Sequence, residues 1–405
     1  MAADHFVPHG WKRVSLHELA HVQTGVAKGK REFTEPIELP YLRVANVQDG
    51  RLDLHEIKTI TVSKNEVTRY SLQSGDVLMT EGGDFDKLGR GFVWEGQIPN
   101  CLHQNHVFAV RPNRDRLDPY FLAYQTASGY GRGYFLNCSK QTTNLASINS
   151  TQLKEYPVLL PSAGEQTQIV SIIRCWDQGI EIAERLLSGK LVLRQGLMQQ
   201  LLTGRRRLPR FSSSWRTVRL GRIFRERLET NRADLPLLSI TTLEGVIPRA
   251  GVDRKDTSSE NKSAYLRICP GDIGYNTMRM WQGVSGLSQL EGIISPAYTV
   301  ITPDSSIDAE FMAVLFKYQP LVHLFWRYSQ GMVDDTLNLK FTNLAKIKVT
   351  IPEKEEQTAI AGVFRLADRE IALLRYELAA LQEQKKGLMQ QLLTGKRRVN
   401  VPVAA

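Results

Sequence analysis

The sequence predicts an internally duplicated chain. Two dissimilar folded blocks are each followed by a strand that leads into a long helix, and the two helices pair antiparallel as a coiled coil with pseudo-twofold symmetry. Three observations predict this. The nine residues GLMQQLLTG stand at Gly196–Gly204 and again at Gly387–Gly395, an offset of 191 residues. The offset holds without a gap from Ile148/Leu339 to Leu208/Val399, and along it Pro161, Glu165, Gln166, Thr167, Ile169, Arg174, Asp177, Ile180 and Leu187 recur. An apolar stripe stepping by four and three runs through both copies, which is the signature of a coiled-coil seam.

Bulk properties are compatible with that plan. A chain of 405 residues suits two or more domains, and its 42% apolar and 23% charged residues are those of a folded protein. The net charge of +10 permits a polyanionic partner, but the excess is spread along the chain, so charge alone is weak evidence. No run of eighteen apolar residues occurs, so no membrane span and no membrane partner are expected. The opening MAADHFVPHGWKRV lacks the basic-then-apolar layout of a signal peptide. The four cysteines, Cys101, Cys138, Cys175 and Cys269, lie far apart with no CxxC pair. That argues against a zinc site or a disulfide framework and fits a cytoplasmic protein.

The elements follow in order. Trp11–Leu16 (WKRVSL) opens the first block and is answered by Trp215–Leu220 (WRTVRL). Next stands HELAH, His17–His21, which matches H-E-x-x-H. On a helix it would put two imidazoles on one face, with Glu18 to activate a zinc-bound water. The second copy reads LGRIFRERL with neither histidine, and the next histidine after His21 is His55. A solvated helix face is therefore expected, with no metal and no catalytic residue. Gly75-Asp76-Val77 is answered by Gly271-Asp272-Ile273, HVFAVRP by AYTVITP, and Asp118–Ala123 by Asp308–Ala313.

Each tail then begins with a strand that should stop at Pro161 or Pro352. Ser162 and Glu165 have the spacing of a capping box, and Glu353, Glu355 and Glu356 suit the positive end of a helix dipole. The first seam runs through Ile169, Ile173, Trp176, Ile180, Ala183 and Leu187, then Leu197 and Leu201. The second runs through Ile360, Phe364, Ala367, Ile371, Leu374, Leu378, Leu381, Leu388 and Leu392, interrupted by Lys385. About 40 residues at roughly 1.5 Å each make a spacer of about 60 Å. Gly204 and Gly395 fall where a helix-capping glycine belongs, and the basic tripeptides Arg205–Arg207 and Lys396–Arg398 follow. Those tripeptides complement the helix dipole or contact phosphate. The division reads 1–160 first block, 161–208 central helix, 209–352 second block, 353–398 C-terminal helix and 399–405 tail.

Two variable blocks alternating with two near-identical long helices resemble the specificity (S) subunit of type I restriction–modification systems. The likeness spans essentially the whole chain and is carried most specifically by the strand–Pro–EQ–helix–GLMQQLLTG tails. GWKRVSLHELA, YLRVANVQDGRL, SGDVLMTEGG, QNHVFAVRP and QTTNLASINSTQLKEYPVLLP support it. The resemblance implies an α/β (α+β) fold class, with each block a mixed α/β target recognition domain reading half of a bipartite, asymmetric DNA site and the helices setting the distance between half-sites. It implies double-stranded DNA as ligand, docking of two methyltransferase (M) subunits, and restriction (R) subunits in the full complex. No cofactor is implied, since catalysis would lie on the partners. Consistent with that, the chain has no Pro-Pro dipeptide, hence no N-P-P-[YF] motif, and no phosphate-binding G-x-x-x-x-G-K-[ST] loop.

Base reading needs Arg, Lys, Asn or Gln on segments that reach a groove. In the first block the glycine-rich loop Glu81–Gly91 offers Lys87 and Arg90, and Ser139–Asn144 offers Lys140, Gln141 and Thr142. The corresponding places in the second block hold Met278–Gln282, with Arg279 and Gln282, and Asp335–Lys340, with Asn338 and Lys340. Trp281 is expected in the core. The rival reading is a coiled-coil scaffold joining two protein-binding domains, with no DNA role.

Overall fold

Each matched tail folds as a strand, a proline and a 39-residue helix, Ala163–Leu201 in the first copy and Lys354–Leu392 in the second. The computed structural model describes residues 7–29, 33–83, 85, 88–141, 146–241, 245–251, 261–331 and 336–401. They form two compact units, 1–183 with 377–405, and 184–376. Each unit thus combines one block with the N-terminal half of the helix that follows it and the C-terminal half of the other long helix.

In the first unit, strand Lys12–Ser15 pairs antiparallel with Pro157–Leu160, the strand that enters the long helix. A four-stranded antiparallel sheet follows, in the order Ala20–Thr24, Val107–Pro112, Val77–Thr80, Gly91–Val93. A three-stranded sheet of Leu102–His103, Pro36–Leu42 and Lys58–Ser63 completes the block's larger strands. Helices Pro119–Ala127 and Gly129–Cys138 bury Phe121, Leu122 and Phe135 in a core shared with Ile169, Ile173, Leu392 and Leu393. Both long helices therefore contribute to one hydrophobic core.

The second unit repeats the plan with other residues. Arg216–Arg219 pairs with Lys348–Ile351. Its four-stranded sheet runs Phe224–Glu226, Tyr298–Pro303, Ile273–Asn276, Ser285–Leu287. Helices Ala309–Leu315 and Gln319–Tyr328 pack in a core with Met198, Leu201, Ile360 and Phe364. Asp76 and Asp272, each 1% exposed, brace their sheets by accepting two hydrogen bonds from Arg111 and Arg227. The guanidinium comes from strand Val107–Pro112 in one unit and from the residue after strand Phe224–Glu226 in the other, so the buried carboxylate is the repeated part.

The invariant Glu-Gln dipeptide explains why the tails match. Both pairs are buried at 3% exposure or less. Gln166 Oε1 accepts from the Asp118 backbone N–H at 2.8 Å, while its amide donates to Pro161 O and Arg116 O. Gln357 does the same for Asp308 at 2.9 Å and Pro352 O at 2.8 Å. Asp118 and Asp308 in turn cap helices Pro119–Ala127 and Ala309–Leu315 of their blocks. Each glutamine therefore ties the start of a long helix to the cap of a block helix.

The glutamates tie in the other long helix. Glu165 accepts from Trp11 Nε1 at 3.0 Å and from Arg398 at 2.6 and 2.8 Å. Glu356 accepts from Trp215 Nε1 at 3.3 Å and from Arg207 twice at 2.6 Å. This corrects the capping-box expectation. Glu165 does not close a capping box: its own N–H donates to Ser162 Oγ at 3.3 Å, but its carboxylate is committed to Trp11 and Arg398. The last arginine of each basic tripeptide, Arg207 or Arg398, reaches across to that buried glutamate as an ion pair.

The glycines that precede these arginines stand at φ +69° and +66°, and a Cβ on Gly395 would lie 2.4 Å from Pro8 Cγ. Of the seam residues, Ile169, Ile173, Leu201, Ile360, Phe364, Ile371 and Leu392 are buried. Trp176, Ile180, Leu187, Leu374, Leu378 and Leu381 are half-buried. The polar interruption Lys385 ion-pairs with Asp177 in the first unit. Its counterpart Arg194 grips Asp368 in the second and lies over the Phe364 ring. An opposite charge reaching each interruption offsets its desolvation and favours one register.

The H-E-x-x-H expectation of a helix is also corrected. Leu16–Glu18 is a single 3₁₀ turn and Ala20–Thr24 a strand whose His21 pairs with Arg111. His17 and His21 thus stand on different elements, and the i, i+4 helical face does not form. The apolar pattern here is too short to nucleate a helix against the adjacent sheet pairing.

Candidate nucleic-acid interface

The four polar segments singled out in the sequence meet pairwise, one pair per unit. In the first unit, Lys140–Gln141 pairs with Ala146–Ser147, which pairs with Gly82–Gly83. The glycine-rich segment and the Lys140 hairpin are therefore one small sheet. Glycine is required at 82, because a Cβ there would lie 2.4 Å from Ala146 O. Behind it runs a backbone relay: Glu81 N–H donates to His106 O, and Ile148 N–H donates to Glu81 O.

The second unit has the same relay with different side chains. Thr277 N–H donates to Ala297 O, and Leu339 N–H donates to Thr277 O. Gln330 and Asn338 bridge antiparallel, closing the counterpart of the Lys140 hairpin. Gly331 sits at φ +149°, and a Cβ on it would meet Thr336 O at 2.6 Å. A frame of main-chain hydrogen bonds thus presents variable residues at matching places.

Most of the nominated residues face outward. Lys140, Gln141, Arg279, Gln282 and Lys340 are exposed, while Arg90 and Asn338 are half-buried. Lys87 and Thr142 lie outside the described residues. The half-buried pair is informative: Arg90 Nε and Asn338 Oδ1 are buried atoms without a hydrogen-bond partner among the described residues. Orphan polar atoms of this kind mark places where a ligand can complete the bonding. Gln141 is partly engaged, its amide donating to Leu136 O at 2.8 Å. Trp281 is only half-buried, with its indole N–H on Met278 O at 3.0 Å, and the fully buried residue of that turn is Met280.

One supporting residue escaped the sequence reading. Lys317 ends an apolar stretch, and its ammonium donates to Gly283 O at 2.7 Å and Ser285 O at 2.6 Å, pinning the turn that carries Arg279 and Gln282. Burial, then the neighbouring Arg194, pushes its pKa down to about 8. The signal was a lone lysine after the run Phe311–Phe316, but its carbonyl partners lie more than thirty residues away in sequence.

Chemically, exposed Arg, Asn and Gln side chains on a rigid frame suit base-edge hydrogen bonding, and exposed Lys suits phosphate. Among the described residues, no group of three or more His, Cys, Asp or Glu side chains could hold a metal ion, and no helix is long and apolar enough to cross a membrane.

Residues 8–188 match the family model described as the type I restriction modification DNA specificity domain. The chain is similar to the putative type I restriction enzyme MjaX specificity subunit of Methanocaldococcus jannaschii, at 23% identity over 97% of this chain and 95% of the relative. It is also similar to the EcoKI specificity subunit of Escherichia coli (strain K12), at 28% identity over 40% of this chain and 35% of that one. The fold resembles a chain from a structure of type I restriction–modification complex assembly and conformational transition, at TM-score 0.60 and 16% identity, covering 97% of this chain and all of that one. It likewise resembles the S subunit from M. genitalium, at TM-score 0.56 and 15% identity, covering 97% and 98%.

Proposed function

We propose that this chain, a member of the type I restriction–modification specificity-subunit family, supplies DNA sequence recognition through two readers, one in each unit. The observation that carries this reading is the repeated frame. The same backbone relay holds Glu81 and Ile148 in one unit and Thr277 and Leu339 in the other, while the side chains it presents differ. Different readers on equivalent frames suit a bipartite site whose two halves differ. The readers are assigned to residues 1–160 and 209–352, with Lys87, Arg90, Lys140, Gln141, Thr142, Arg279, Gln282, Asn338 and Lys340 as contact residues. The helices at 161–208 and 353–398 serve as spacers, followed by a tail at 399–405.

In this reading the subunit is non-catalytic. Two methyltransferase subunits and the restriction subunits supply the chemistry, on double-stranded DNA in the cytoplasm. The naming of its relatives as specificity subunits supports that division of labour. The test is methylome sequencing of the host with and without this gene. Loss of one bipartite N6-methyladenine motif is expected, and an unchanged methylome sinks the proposal.

A further inference from the structure

The first strand of the second block carries a charge arrangement that folding does not explain. In the antiparallel pair of Arg216–Arg219 with Lys348–Ile351, Arg219 stands directly opposite Lys348. Like charges directly opposite one another on paired strands are destabilising. Lys346, two residues earlier, joins them along a cleft of about 660 Å³ that Leu324 and Tyr328 also line, its ammonium donating to Asn343 Oδ1 at 3.0 Å. All three cations are exposed. Among the described residues no carboxylate lies within ion-pair distance of any of them. By contrast Arg207, Arg227, Arg232 and Arg267 in the same unit all have acidic partners.

The first unit lacks the feature. Ser15 faces Pro157 at the matching register. The residue answering Lys346 at the repeat offset is Glu155. A repulsive triplet is therefore present in one copy of a duplicated frame and replaced by neutral or acidic residues in the other.

We infer that Arg219, Lys346 and Lys348 form a phosphate clamp for the DNA backbone flanking the half-site read by the second unit. The inference rests on the DNA-recognition reading. The clamp is continuous in sequence with the proposed reader: Asn338 and Lys340 are followed by the one-turn helix Phe341–Leu344 and then by Lys346 and Lys348. A polyanion supplies the missing counter-charge. Contacts of this type position the protein on the duplex and carry no base preference.

The experiment compares wild type with the Arg219→Gln/Lys348→Gln double variant, each as the full chain assembled with its methyltransferase subunits. Affinity for a duplex containing the methylated motif, and for competitor DNA, is measured across a salt series. Each phosphate contact contributes roughly 0.9 to the slope of log affinity against log salt, so the variant's slope should be shallower by about 1.8. Between 50 and 200 mM salt, wild type should thus lose about twelvefold more affinity than the variant. The methylated motif stays the same, and thermal stability is unchanged or higher because repulsion is relieved. An unchanged slope overturns the clamp, and an unchanged slope with weakened subunit assembly reassigns the patch to an acidic protein surface. A wild-type complex that does not prefer its motif over competitor DNA refutes the recognition reading itself.

Discussion

Replacing Gln357 by leucine should unlatch the second unit, and the size of the effect follows from two hydrogen bonds. Gln357 is 0% exposed; its side-chain carbonyl accepts from the Asp308 N–H at 2.9 Å and its amide donates to Pro352 O at 2.8 Å. Leucine keeps much of the volume but leaves the part-buried Asp308 N–H and the buried Pro352 carbonyl unsatisfied. At roughly 1–3 kcal/mol for each orphaned group, the loss is about 4 kcal/mol. A unit of this size responds by roughly 2–4 °C per kcal/mol, so its unfolding transition should fall by about 8–16 °C. Calorimetry reads the shift, and hydrogen exchange locates it. Protection should drop at the Asp308 amide and the start of helix Ala309–Leu315, while the first unit is unaffected. Gln166→Leu should do the converse, exposing the Asp118 amide and the start of helix Pro119–Ala127. A loss below about 0.5 kcal/mol, or one spread evenly over both units, refutes the latch.

Other expectations concern the readers and the spacer. Charge reversal at Arg90 or Lys140 should weaken binding to the motif while leaving the fold intact, and unaltered site-specific binding would remove that residue from the interface. Lys317→Met tests the pinned turn through pH. The folded-state pKa of about 8 lies below the unfolded value of about 10.4, so the unfolded chain holds more protons between them and stability rises with pH across that window. The gain is roughly 3 kcal/mol in wild type relative to the variant. Chemical denaturation at pH 7.5 and 10 that shows the same slope for both proteins contradicts the assignment. Inserting seven residues into both long helices adds about 10 Å of spacer, so methylome sequencing should show a longer gap between unchanged half-sites.

What the sequence makes legible is what is local and repeated. The strand, the stopping proline and the heptad stripe depend on near neighbours, so Pro157–Leu160, Lys348–Ile351 and both long helices can be read from period alone. The partners of the Glu-Gln dipeptide cannot. Glu165 meets Arg398 across 233 positions, and a capping-box pattern offered a nearer use for the same carboxylate. Lys385 is visible as a break in the seam, but the Asp177 that answers it sits on the other helix. The blocks are harder still, since several strands are two or three residues long and carry almost no periodic signal. The candidate segments were nonetheless brought together in pairs. Ser139–Gln141 has no apolar face to bury, while in the second unit Met280, Leu337 and Leu339 anchor their segments in the core and leave the polar neighbours outside.

Two independent readers on one repeated frame is the central claim, and exchanging one reader tests it most directly. Residues 209–352 would be replaced by the matching block of a specificity subunit with a different known motif, and the methylome sequenced. One half of the bipartite motif should change to that of the donor, while the other half and the gap between them stay as they were. A motif altered in both halves, or unaltered in either, contradicts the account.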